Sequence, residues 1–176
     1  SYYIITVIQK KNNLMDIGEY SPKSTLVVDE NKIYRSKFPF IDVHSHHWDM
    51  PIQDLSTLVS EMDSLNMAYL INLSGSGLAT FFGKQDLMEK NLTSSIKNVK
   101  ENFPKRFGVF FNINFNRIDD ENFRRNTTLL INDAVNQGAI GLKVYKNLGL
   151  NLRDSKGKRV PVDDERLSFI WEECAK

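Results

Sequence analysis

The sequence predicts an α/β protein of the TIM (β/α)8-barrel type, with about the first four strand–helix units present in this chain. Three observations predict it. Apolar runs of strand length alternate with segments of helical periodicity, the pattern of a parallel sheet with crossover helices. The runs are apolar on both faces, as strands covered on both sides are. The chain's three histidines, His44, His46 and His47, sit within four consecutive positions at the end of the first run. Barrel proteins carry their active residues at the C-terminal ends of strands.

The elements follow in order. Residues 1–37 read as an irregular lead-in that covers one end of the barrel. Tyr2–Ile8 and Thr25–Val28 are short strand candidates within it, separated by a polar stretch with Gly18 and Pro22. Residues 38–176 read as the first half of the barrel. Strand 1 is about Phe40 to His44. Leu55, Leu58, Val59, Met62 and Leu65 then recur at helical spacing on one face. Strand 2, Ala68 to Leu73, ends in Ser74-Gly75-Ser76-Gly77, which reads as a flexible loop. A helix from about Gln85 to Asn102 buries Met88, Leu92, Ile96 and Val99, with Phe103 after it, and Pro104 stops it. Strand 3 is Phe107 to Phe115. Asp119 or Asp120 is expected to cap the next helix, which buries Phe123, Leu130, Ile131, Ala134 and Val135 and ends at Gly138. Strand 4 is Ile140 to Tyr145. A long loop with a turn at Asp154–Gly157 leads to a helix capped by Asp163 or Asp164 and carrying Leu167, Ile170, Trp171 and Cys174.

A doubly wound sheet is the competing fold, but it binds nucleotide through a glycine-rich first loop. Here the first loop is His-Ser-His-His-Trp. The Ser-Gly-Ser-Gly run is too short for that fingerprint and follows the wrong strand. A full barrel takes about 250 residues, and half a barrel leaves two open sheet edges. The expectation is therefore a protein that continues past Lys176. A first residue other than Met and an end inside an apparent helix agree with that expectation.

Composition narrows the function classes. Hydrophobic residues make up 41% and charged ones 26%, the balance of a globular protein. With 23 basic and 22 acidic side chains the net charge is +1, so no general electrostatic case exists for a nucleic-acid partner. No run approaches the roughly 20 apolar residues that span a bilayer, and no membrane partner is expected. The single cysteine excludes an intrachain disulfide. A cytoplasmic location is favoured over export, which stays open. A small molecule is the expected partner, and self-association of the chain stays open.

Side chains of a strand alternate faces, so Asp42, His44 and His46 share one face. Two imidazoles pointing into the barrel mouth can converge on one divalent ion. A catalytic site of that kind takes three protein ligands and keeps one position for water. His44 and His46 are therefore the expected metal ligands. His47 has the opposite parity and is set aside. Asp42, one layer deeper, either fixes a histidine ring by a hydrogen bond or pairs with a cation inside the barrel. On strand 4, Gly141, Lys143 and Tyr145 share a face. Lys143, a lysine in an apolar run, is open to several roles: a modified bridge between two metals, a partner for a substrate carboxylate, an ion pair with Asp42, or a place on the rim. Asn72, Ser74, Asn112 and Asn114 end strands 2 and 3 and are candidates for substrate hydrogen bonds or ordinary strand-end residues. Trp48 is a candidate pocket wall.

Ile41-Asp42-Val43-His44-Ser45-His46 resembles the first-strand signature of the amidohydrolase superfamily. More narrowly it resembles the amidohydrolase-related branch, which includes metal-dependent decarboxylases. The lead-in Pro22–Val28, the segment Gly138–Leu150 and the run Val160–Leu167 through Trp171-Glu172 are similar to one bacterial subgroup. The resemblance covers most of the chain from about Ser21. It implies a (β/α)8 barrel with a divalent metal, usually zinc, and maps His44 and His46 onto the first two ligands. It also implies a histidine ligand on strand 5 and an aspartate on strand 8, so the catalytic residues are expected beyond residue 176 and the chain alone is expected to be inactive. Lys143 lies on the strand where some branches carry a carboxylated lysine, although the branch resembled here commonly uses one metal. Three functions follow as expectations: a hydrolase that uses metal-activated water on a C–N or C–O bond, a non-oxidative decarboxylase of the same branch, or a non-catalytic metal-binding half-barrel.

Overall fold

The computed structural model describes residues 16–176. The strand candidate at Tyr2–Ile8 lies outside them. The chain divides into two units, with the boundary between Lys32 and Ile33. In the first, Asp16 caps a single 3-10 turn, Ile17–Glu19, by accepting the Gly18 N–H. Thr25–Val28 is not a strand: among the described residues no strand pairs with it, and Leu26, Val27 and Val28 are exposed. Strand propensity without a hydrogen-bonding partner does not make a strand.

The second unit is an α/β fold built on four parallel strands. In chain order its elements are β1 (Phe40–Ser45), α1 (Leu55–Leu65), β2 (Met67–Asn72), α2 (Ala79–Phe82), α3 (Gln85–Asn102), β3 (Phe107–Asn112), α4 (Phe123–Gln137), β4 (Gly141–Lys143), α5 (Asn147–Leu150) and α6 (Ser168–Cys174). The strand order is β1-β2-β3-β4, and the sheet curls into a half-barrel. This sequential order has no reversal point, unlike the doubly wound orders.

Local chemistry explains the boundaries. Asp54 caps α1 by accepting the Ser56 N–H at 2.9 Å. The same helix ends at Asn66, which takes the left-handed conformation (φ 65°) that asparagine tolerates better than most residues. α3 buries Met88, Leu92, Ser95, Ile96 and Val99 on one stripe, and α4 buries Phe123, Thr127, Ile131 and Ala134. Gly138, at φ 106°, closes α4. These stripes meet Leu70, Val109 and Phe111 of the sheet in one continuous core. Leu148 of α5 and the loop residues Met50, Leu152 and Val160 complete it.

Several boundaries differ from the sequence expectation. β3 stops at Asn112, because Asn114 turns the chain into a 3-10 turn, Phe115–Arg117, by accepting the Asn116 N–H. β4 spans only Gly141–Lys143. Asp119 and Asp120 do not cap α4, which starts at Phe123 behind Asn122. Their carboxylates are taken by Arg166 and by Arg117. Asp164 caps the 3-10 turn Glu165–Leu167, and α6 begins only after it. Val135 is 56% exposed and Leu65 is 42% exposed, since each lies at the edge of its helix stripe. Trp171 and Cys174 also face solvent.

The Ser74–Gly77 segment is a buried, clamped turn rather than a flexible loop. The Gly75 N–H donates to the Phe110 carbonyl at 3.1 Å. Ser95 Oγ donates to the Gly75 carbonyl, and Asn91 Nδ2 donates to the Ser76 carbonyl. A Cβ at Gly75 would lie 2.4 Å from the Phe110 oxygen. Glycine is needed there for close backbone approach, not for flexibility.

Candidate functional site

The site is assembled where the parallel strands end. β1 pairs with β2 in an irregular register, with Asp42 opposite Leu70 and Ser45 opposite Asn72. At that slip, Asp42 Oδ1 accepts the backbone N–H of His44 at 2.9 Å. Asp42 therefore neither holds a histidine ring nor pairs with Lys143. It satisfies an amide that an irregular ladder would leave free. Its role is to hold the backbone that carries His44.

Two buried asparagines organise the loops above the sheet. Asn72 Oδ1 accepts the N–H groups of His47 and Ser74, and its Nδ2 donates to the His47 carbonyl. Asn112 accepts the Ser76 N–H and donates to the carbonyls of Leu73 and Lys143. Each residue is fully buried and uses its carboxamide inside the protein, on main-chain groups and, for Asn72, also on Met50 Sδ. Neither is left for a substrate. Asn72 ties the histidine loop to the end of β2, and Asn112 ties together the ends of β2, β3 and β4.

On this frame His44 and His46 come together. Their ring centroids are 5.3 Å apart and their planes cross at 66°. Both line one cavity of about 640 Å³ together with Trp48, Phe81, Asn114, Lys143, Tyr145 and Lys146, a size that suits a small-molecule ligand. Asn114 is partly committed, since its Nδ2 donates to the Gly83 carbonyl. His47 lies outside this cavity. Burial lowers its pKa, against the opposing pull of the Gln53 side chain and Asp42.

Aromatic rings wall the cavity. Trp48 stacks on His46 with centroids 5.2 Å apart and planes 11° from parallel. Phe81 reaches both Trp48 and Tyr145, at 5.1 and 5.3 Å. Phe81 is not a candidate from sequence; the available signal is the Phe81-Phe82 doublet in the connection after β2. Lys143 Nζ lies 6.0 Å from the Tyr145 ring centroid. Among the described residues no carboxylate lies within ion-pair distance of Lys143.

The electrostatics favour a neutral imidazole. Partial burial lowers the pKa of His46, and the positive charge of His44, Lys143 and His47 lowers it further. A second hydrogen-bond chain runs behind it. His46 Nδ1 lies 2.6 Å from Ser74 Oγ, and Ser74 Oγ lies 2.9 Å from Tyr145 Oη. Burial raises the Tyr145 pKa, partly offset by the neighbouring Ser74 and Asn112 side chains.

The donor set suits a divalent ion in part. His44 and His46 are borderline-soft nitrogen donors, as zinc prefers. Among the described residues no group of three His, Cys, Asp or Glu side chains gathers around a common point. The pair can supply two positions of a site and no more.

Compared with family models, curated proteins and solved structures, the chain matches none.

Proposed function

We propose that this chain is the first half of a metal-dependent hydrolase barrel of the amidohydrolase type. His44 and His46 hold two positions of a divalent metal site, with zinc the best-suited ion. One observation carries the reading: two imidazoles from one strand end converge in a single cavity at the C-terminal edge of a sequentially ordered parallel sheet. A metal held there supplies a water acidified to near-neutral pKa for attack on a C–N or C–O bond. The chain's own residues bind and orient a small-molecule substrate. Trp48, Phe81 and Tyr145 offer planar apolar faces and exclude water, while Lys143 and Lys146 supply positive charge at the cavity wall. The reading requires further ligands and a proton-transfer group that the described residues do not provide.

Lys143 favours a second reading. An ammonium without a carboxylate partner beside an aromatic wall suits an acid substrate, as a non-oxidative decarboxylase of the same branch would need. Product analysis separates the two: carbon dioxide release without hydrolysis selects the decarboxylase.

Equilibrium dialysis with zinc tests the shared premise. The 176-residue chain should bind one zinc, and His44→Ala and His46→Ala should each weaken binding at least tenfold. Equal binding by the wild type and both variants would remove the metal from this site.

A further inference from the structure

The Thr80 hydroxyl is the one buried side-chain polar atom without a hydrogen-bond partner among the described residues. A buried polar group left unpaired costs free energy, and each such exception calls for a reason. Thr80 lines the cavity beside Phe81, and both belong to a segment that is loosely tied to the rest of the fold.

That segment, residues 77–83, has a glycine at each end. Gly77 and Gly83 both take φ 61°, in the left-handed region. Between them α2 runs for four residues, and Ala79 is its one buried residue. Among the described residues, no hydrogen bond from residues 78–82 reaches beyond the segment. Its ties lie at the ends. The Gly77 N–H donates to the Ser74 carbonyl at 2.9 Å, and the Gly83 carbonyl accepts from Asn114 Nδ2 at 3.1 Å. In the middle, ring contacts hold it. Phe81 leans on Trp48 and Tyr145 with planes tilted by 51° and 47°. It walls the cavity and is still 58% exposed, while Leu78 and Phe82 face solvent. A segment with little buried apolar area and few outward hydrogen bonds opens at low free-energy cost.

We propose that residues 77–83 form a hinged flap that swings Phe81 on and off the rings of Trp48 and Tyr145, and so gates ligand access to that aromatic wall. Seated, Phe81 covers part of both rings and Thr80 keeps an unpaired hydroxyl. Swung out, the flap frees the two rings for a planar ligand, hydrates the Thr80 hydroxyl and turns Gly83 out of the left-handed region. The seated state is thus held by ring contacts against a polar cost, and modest energies move it. Such a gate serves any planar ligand of the cavity and needs no metal.

Trp48 reports on the flap, and Trp171→Phe leaves it as the only tryptophan. In that background, with fluorotryptophan incorporated, fluorine NMR relaxation dispersion should show Trp48 exchanging between two environments on the microsecond-to-millisecond scale of lids. Gly83→Ala should raise the swung-out population about 5–30-fold, because a side chain is costly in the left-handed region. Thr80→Val, which keeps the side-chain shape and removes the unpaired hydroxyl, should lower that population roughly fivefold or more. Phe81→Ala should remove the exchange and increase acrylamide quenching of Trp48 fluorescence. The opposite signs at Gly83 and Thr80 separate a gate from a general loosening of the structure. A single Trp48 environment with no dispersion in the background chain would overturn the gate. So would populations unmoved by Thr80→Val, a variant that keeps the fold even where Gly83→Ala does not.

Discussion

Asn72 carries more of the site than its chemistry advertises. A strand-end asparagine in sequence reads equally well as a substrate contact, and nothing in its neighbours decides the matter. The structure spends its carboxamide on three main-chain bonds around the histidine loop and on Met50 Sδ. Each such bond contributes about 1 kcal/mol, and burying the groups unpaired costs more. Asn72→Ala should therefore lower stability by about 2–4 kcal/mol in chemical denaturation. It should also weaken metal binding, since His46 loses its fixed backbone. An unchanged denaturation midpoint would show that the loop holds itself. Arg166 gives a second test at this scale. It pairs with Asp164, Asp119 and Asp154, and the Arg166 guanidinium holds the Asp164 carboxyl down to about 2. A carboxyl depressed in the folded state stabilises above its ordinary pKa of about 3.9 and loses that contribution as pH falls toward the depressed value. Arg166→Ala should thus lower the melting temperature at pH 7, and the gap from the wild type should narrow between about pH 4 and 2. A gap constant with pH would assign Arg166 a packing role only.

Elements were legible where periodicity was strong and illegible where loops fold back on the sheet. The stripe Met88, Leu92, Ile96 and Val99 fixes α3 because burial on one face leaves no other periodicity. The early stop of β3 at Asn112 depends on Asn114 bonding its own backbone two residues on, a choice that competes with the ladder but does not disturb the apolar pattern. The start of α4 was misread because Asp119 and Asp120 are good caps locally and yet serve arginines, one of them 47 positions away in sequence. The Ser-Gly-Ser-Gly run is the sharpest case. Its composition says linker, while its backbone lies against β3. Gly75→Ala should cost about 1–3 kcal/mol, the usual penalty of overpacking, because a methyl there meets the main chain of Phe110. A neutral effect on thermal unfolding would mean the turn can move.

At the scale of the molecule, four parallel strands in sequential order form part of a curved sheet whose outer strands stay open among the described residues. Ile41 and Val43 of β1 are 56% and 63% exposed. An apolar edge of this kind invites pairing. Sedimentation of the 176-residue chain should show concentration-dependent association, and Ile41→Lys with Val43→Lys should suppress it. A monomer at every concentration would argue that the edge is harmless. The convergence of His44 with His46, and of Lys143 with Tyr145, was readable from strand parity alone. The Asp42 pairing was not, because the register of β1 slips at that point and parity arguments assume it does not. The Ser74–Tyr145 hydrogen bond was not either, since it joins residues 71 positions apart. The central claim is that both imidazoles bind one ion, and X-ray absorption at the zinc edge of the loaded chain tests it most directly. Two imidazole nitrogens at about 2.0–2.1 Å are expected, with one lost in His44→Ala and one in His46→Ala. A sulfur neighbour from Cys174, or a nitrogen shell unchanged in both variants, would contradict it.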